Sequence, residues 1–90
     1  MFKTLEELIT TIRQRKGSLI EKSYTKKLLN DKNLSVEKVK EEIAELIDAI
    51  EKNSNKVHES ADVLYHLMVL LEANGIKIEE VMDELKKRQK

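Results

Sequence analysis

Residues 63–71 read VLYHLMVLL, a run that is apolar on nearly every side when wound into an α-helix. A helix of that kind has to be surrounded by other protein. Ninety residues hold too little chain to wrap it completely. A second copy of the chain is the economical cover, so a homodimer is expected. The longest uninterrupted apolar stretch, Leu67 to Leu71, is far short of the ~20 residues that span a membrane. Glu59, Asp62 and His66 share one arc of this helix, and the arc continues as Val69, Leu70 and Ala73. Acids on a face whose extension is buried are expected to line a cleft.

The rest of the chain is patterned to pack around that segment. Thr4 with Glu7 reads as a capping box, followed by Leu5, Leu8, Ile9 and Ile12 at helical spacing and a stop near Gly17. After a connection at 17–22, Ser23 can cap a short helix carrying Tyr24, Leu28 and Leu29. Asn30 to Asn33 reads as a turn, with Ser35 capping the third helix. Val36, Val39, Ile43, Leu46 and Ile50 then follow a 3-4 spacing, widened by Ile47, which predicts a seam against other helices. Asn53 to Asn55 ends that helix. A fourth runs from about Lys56 to Asn74, with Gly75 as its left-handed stop. A fifth covers about Ile78 to Lys87, with Ile78, Val81, Met82 and Leu85 inward. The expected fold is all-α: one domain over residues 1–90, a bundle of about five helices completed by dimerisation.

Composition narrows the function. Lys plus Arg and Asp plus Glu stand at 17 each, so the formal net charge is zero. No strong field points to nucleic acid or to an anionic membrane surface. Phe2, Tyr24 and Tyr65 are too few aromatics for a base-stacking platform. The absence of Cys rules out disulfides and thiolate metal sites and fits a reducing cytoplasm. The N-terminus lacks a basic-then-apolar export signal.

The chemistry lies in two acidic patterns. Glu41, Glu42 and Glu45 form EExxE, and Glu59 and Asp62 form ExxD. Glu42 and Glu45 share a helix face, as do Glu59 and Asp62. If the two helices pair antiparallel, four or five carboxylates converge. They cannot all stay ionised without a cation among them. Oxygen-only ligands suit a hard ion, above all Mg²⁺, which binds carboxylates together with substrate phosphates. EExxE alone is common on solvated helices, but ExxD on a helix that otherwise looks buried is costly without a counter-charge. Metal binding is therefore the better reading. His66 reads as a core histidine bonded to a neighbour, and His58 as exposed. Tyr65 is expected to pack with its hydroxyl wet.

The motifs in order also resemble a known family. TLEELITTIRQRK (4–16), SYTKKLL (23–29), KVKEEIAE (38–45) and ESADVLYHLMVLL (59–71) are similar to blocks of phosphoribosyl-ATP pyrophosphatase, an enzyme of histidine biosynthesis. Its wider relatives are the MazG-like all-α nucleotide pyrophosphatases, which share EExxE followed by ExxD. The resemblance implies a helical dimer that hydrolyses phosphoribosyl-ATP to phosphoribosyl-AMP and pyrophosphate with Mg²⁺. Carried over by position, Glu41, Glu42, Glu45, Glu59 and Asp62 would bind the metal. Glu42 or Glu45 would orient or deprotonate the attacking water. Lys27 and Lys38 would contact phosphate, with Ser23, Tyr24 and Thr25 near the substrate. Lys40 stands where the family pattern has Gly. The length leaves no room for the cyclohydrolase to which this activity is sometimes fused, so the domain is expected to stand alone.

Two alternatives share much of this pattern. A housecleaning pyrophosphatase of free nucleoside triphosphates would carry the same acids without the SYTxKL segment. A non-catalytic dimerisation module would carry the seam but give no reason for acids on the inner arc of the fourth helix.

Overall fold

The computed structural model describes residues 1–17 and 23–89; most of the expected 17–22 connection lies outside these. Within them the chain forms five α-helices and no strand. They are α1 (Lys3–Lys16), α2 (Tyr24–Asn30), α3 (Lys32–Lys52), α4 (Lys56–Ala73) and α5 (Ile78–Arg88).

Two expected caps are displaced. The carbonyl of Phe2 accepts from the Glu6 N–H at 3.1 Å, so α1 opens at Lys3 and Thr4 lies inside its first turn. The Asp31 side chain accepts from the Leu34 N–H at 3.0 Å and caps α3 in place of Ser35. Residues 32 and 33 are therefore helical rather than part of a turn. A carboxylate suits this position because it answers the positive helix end. Ser35, one turn further in, is fully buried. Ser23 does cap α2, its hydroxyl accepting from the Lys26 N–H at 3.4 Å.

Helices α3 and α4 form the dominant pairing. Asn53 and Asn55 at the bend both adopt left-handed backbone, with φ 54° and 53°. Asn tolerates that region through its short polar side chain. The Ser54 N–H donates to the Ala49 carbonyl at 3.0 Å, closing the end of α3. Asn53→Val places a β-branched side chain at a φ it does not tolerate. The variant is expected to lose about 1–2 kcal/mol, read by urea denaturation. An unchanged midpoint would contradict this.

The face that α3 turns to its own chain overlaps the expected seam only at Val39 and Leu46. Ser35, Val39 and Ala49 are buried and Leu46 is half-buried, whereas Val36, Ile43, Ile47 and Ile50 are exposed. The intrachain face includes the small side chains Ser35 and Ala49, and the bulky row Val36, Ile43, Ile47 and Ile50 is left uncovered. On α4, Val57 and Leu64 are likewise exposed.

The apolar core lies around the other half of α4, where Met68, Val69 and Ala73 meet Ile12 of α1 and Leu28 and Leu29 of α2. Gly75, at φ 69°, ends the α4 segment as expected. The expected inner face of α5 is only partly realised. Ile78 reaches the core, but Met82 and Leu85 are each 49% exposed. Arg13 of α1 fastens α5 instead, bonding Glu79 through both terminal nitrogens at 2.6 and 3.0 Å and Glu72 at 3.4 Å. The Arg13 hydrogen bond holds the Glu79 carboxyl down to about 2.

Candidate metal centre between α3 and α4

The antiparallel pairing of α3 and α4 carries the acids toward one another. Glu45 lies opposite Glu59, and one turn back along α3 Glu42 lies opposite His66. Ligand atoms of Glu42, Glu45 and Glu59 fall within 4.8 Å of one another. His58, Glu59 and Asp62 form a second such group, so Glu59 belongs to both. Glu45 and Glu59 also border a groove with Ala44, Asp48, Ser54 and Asn55.

Crowding shows in the electrostatics. The Glu42 side chain is 12% exposed. Burial, followed by the hydrogen bond and charge of Glu45, pushes its carboxyl up to about 7. Burial also raises Glu59, with Glu45 adding to the effect. Oxygen Oε2 of Glu42 and Oε2 of Glu59 are both buried without a hydrogen-bond partner. Two orphaned carboxylate oxygens beside further carboxylates, with only oxygen donors among Glu42, Glu45 and Glu59, fit a hard divalent cation.

The shift of Glu42 has a measurable sign. Between its ordinary value of 4.5 and about 7, the folded chain holds this proton more tightly than the unfolded chain. Stability of the metal-free protein is therefore lost as pH rises through that window. Burial lowers His66 below 6.5, which works in the opposite direction. Glu42→Gln removes only the first effect. In chelator, its stability advantage over wild type is expected to be near zero at about pH 4.5 and to grow steadily as pH rises toward about 8. Urea denaturation across that range checks it, and an advantage that is flat with pH would contradict it.

The remaining candidates fall on two sides. Glu41 is exposed and belongs to neither group; it accepts from Lys38 at 3.3 Å. Adjacent helix residues diverge by about 100°, so when Glu42 faces α4, Glu41 points elsewhere. That hydrogen bond raises the pKa of Lys38. Asp62 faces His58 at 3.4 Å. Tyr24 and Thr25, at the start of α2, reach α4: the Tyr24 ring is edge-on to His66 at 6.0 Å, and Thr25 shares a hydrogen bond with the Tyr65 hydroxyl. The Tyr65 hydroxyl is thus bonded within the protein and not simply wet. Ser23 serves as the α2 cap, and Lys27 is exposed in the last turn of α2. Lys40 is exposed and pairs with Glu37 at 3.6 Å. His58 was legible as a member of the cluster, since it adjoins Glu59 and precedes Asp62 by one turn.

Paired helices with carboxylates gathered between them define a class of all-α proteins built around an acid-lined inter-helix centre. Comparison with known proteins makes the assignment within it. The family model described as phosphoribosyl-ATP pyrophosphohydrolase matches residues 5–89, and the chain belongs to that family. It is 42% identical to the phosphoribosyl-ATP pyrophosphatase of Caulobacter sp. (strain K31) over 91 residues, covering 99% of this chain and 85% of that one. It is 43% identical to the enzyme of the same name from Metallosphaera sedula, with both chains fully covered. It is also 44% identical to the histidine biosynthesis bifunctional protein HisIE of Pyrococcus furiosus, matching 96% of this chain and 41% of that protein. No helix among the described residues is long and apolar enough to cross a membrane.

Proposed function

We propose that the chain is a cytoplasmic enzyme that hydrolyses phosphoribosyl-ATP to phosphoribosyl-AMP and pyrophosphate, the second step of histidine biosynthesis. The observation that carries this reading is the convergence of Glu42, Glu45 and Glu59 with two buried oxygens lacking partners. The names of the relatives supply the substrate. Glu42, Glu45, Glu59 and Asp62 are the residues suited to hold Mg²⁺; Glu41, expected in the ligand set from the motif, is turned away from α4 and paired with Lys38, and is not among them. Mg²⁺ bound there would neutralise phosphate charge and lower the pKa of a bound water. Glu45, exposed at the edge of the cluster, or Glu42 orients the attacking water and takes its proton. Lys38 would exchange Glu41 for a substrate phosphate, with Lys27, Ser23, Tyr24 and Thr25, at and within α2, as the further substrate contacts.

The working unit is a homodimer. The row Val36, Ile43, Ile47 and Ile50 on α3, with Val57 and Leu64 on α4, leaves more apolar surface open than a monomer of this size sustains. A second copy of the chain covers it.

The test is pyrophosphate release from phosphoribosyl-ATP and from ATP side by side. Turnover is expected with the first and far less with the second. Equal turnover of both, or release of orthophosphate, would replace this reading with a general nucleotide hydrolase.

A further inference from the structure

His66 is the most enclosed polar side chain near the acids, with 8% of its side chain exposed. Its Nε2 lies 3.9 Å from Oε1 of Glu42, and its Nδ1 is buried without a partner. Its ring is boxed in. Tyr65 stands edge-on at 5.0 Å and Tyr24 at 6.0 Å. The hydrogen bond between Tyr65 and Thr25 holds one wall of that box. The ring therefore presents one nitrogen to Glu42 and has little room to turn. Once a cation beside it keeps Glu42 ionised, Glu42 can only accept, and the nitrogen that faces it is the one to carry the proton.

We infer that His66 is a positioning residue for Glu42: its Nε2–H engages Oε1 and leaves Oε2, the buried oxygen without a partner, to ligate the cation. The present 3.9 Å exceeds hydrogen-bond length. Turning the carboxylate about its last bond, a movement on the order of 1 Å, closes the gap. A carboxylate ligand held by a second residue meets the metal already oriented, which raises affinity. His66 does not touch substrate in this scheme. Its contribution is to fix which oxygen of Glu42 faces the cluster. The inference rests on the acid cluster being the cation site, and the experiment separates the two.

The probe is Mn²⁺ alone, titrated by electron paramagnetic resonance into substrate-free protein, with melting curves recorded in parallel. Wild type is expected to bind Mn²⁺, and Glu59→Gln is expected to bind it far more weakly. His66→Phe keeps an aromatic ring against Tyr24 and Tyr65 but has no donor. It is expected to melt cooperatively and to lose about 10–100-fold in Mn²⁺ affinity. His66→Gln places an amide N–H near the Nε2 position and is expected to recover most of that loss. His66→Asn places its donor nearer the Nδ1 position and is expected to stay weak. If the Phe variant does not fold, the Gln–Asn comparison decides alone. Wild-type affinity in the Phe variant, or Gln no better than Asn, would overturn the role of His66 while leaving the cluster intact. No Mn²⁺ binding by wild type would overturn the cluster reading itself, and this inference with it.

Discussion

Glu59→Gln is expected to lower pyrophosphate release from phosphoribosyl-ATP by about 10²–10³-fold while leaving the helical signal unchanged. Glu59 is the residue common to both groups of convergent ligand atoms, so no other single change removes as much of the centre. Gln keeps the volume and one oxygen but removes the charge that holds a cation. The same change relieves repulsion with Glu45 and Asp62, both of which oppose ionisation of Glu59. The metal-free variant is therefore expected to melt at or above the wild-type temperature, a stability gain coupled to lost function. Adding Mg²⁺ should raise the melting temperature of wild type by mass action and that of the variant much less. Equal Mg²⁺ stabilisation of both, together with retained turnover, would return these acids to an ordinary solvated helix face.

Ile47→Asp is expected to abolish the dimer. Ile47 is 52% exposed in the single chain and is absent from the core around α4. In a monomer its replacement by Asp would be close to neutral. In a dimer that covers the α3 row, the same carboxylate is buried among Val36, Ile43 and Ile50 of that face, at a cost of several kcal/mol. At about 4–8 °C per kcal/mol for a chain of this size, melting should fall by more than about 10 °C. Light scattering should show wild type as a dimer at micromolar concentration and the variant as monomer or unfolded chain. A variant with wild-type mass and melting temperature would place the interface elsewhere.

What the sequence made legible was local. Helical spacing, the Ser23 cap and the stops at Gly17, Asn53–Asn55 and Gly75 all depend on residues within a turn of one another, and the helices fall where these signals put them. The displaced cap of α3 was a choice between two side-chain oxygens one turn apart. Asp31 and Ser35 both suit an N-cap, and only the backbone at residue 31 decides. The face of α3 was ambiguous for a different reason. Its apolar residues occupy two adjacent rows, and spacing alone cannot say which row meets the same chain and which is left for another. The acid cluster followed from antiparallel pairing plus the EExxE and ExxD spacing. The separation of Glu41 from Glu42 needed the rotation of α3 as well. The approach of His66 to Glu42 depends on the register between α3 and α4, which no local pattern encodes.

The most direct measurement is the rate of pyrophosphate release from phosphoribosyl-ATP by the purified wild-type chain, first in chelator and then with Mg²⁺ restored, with Glu59→Gln alongside. The expected result is negligible turnover in chelator, full turnover on return of Mg²⁺, and little recovery in the variant. Turnover that survives exhaustive chelation, or a variant that Mg²⁺ restores to the wild-type rate, would contradict the assignment of Glu42, Glu45 and Glu59 as the centre on which the reaction depends.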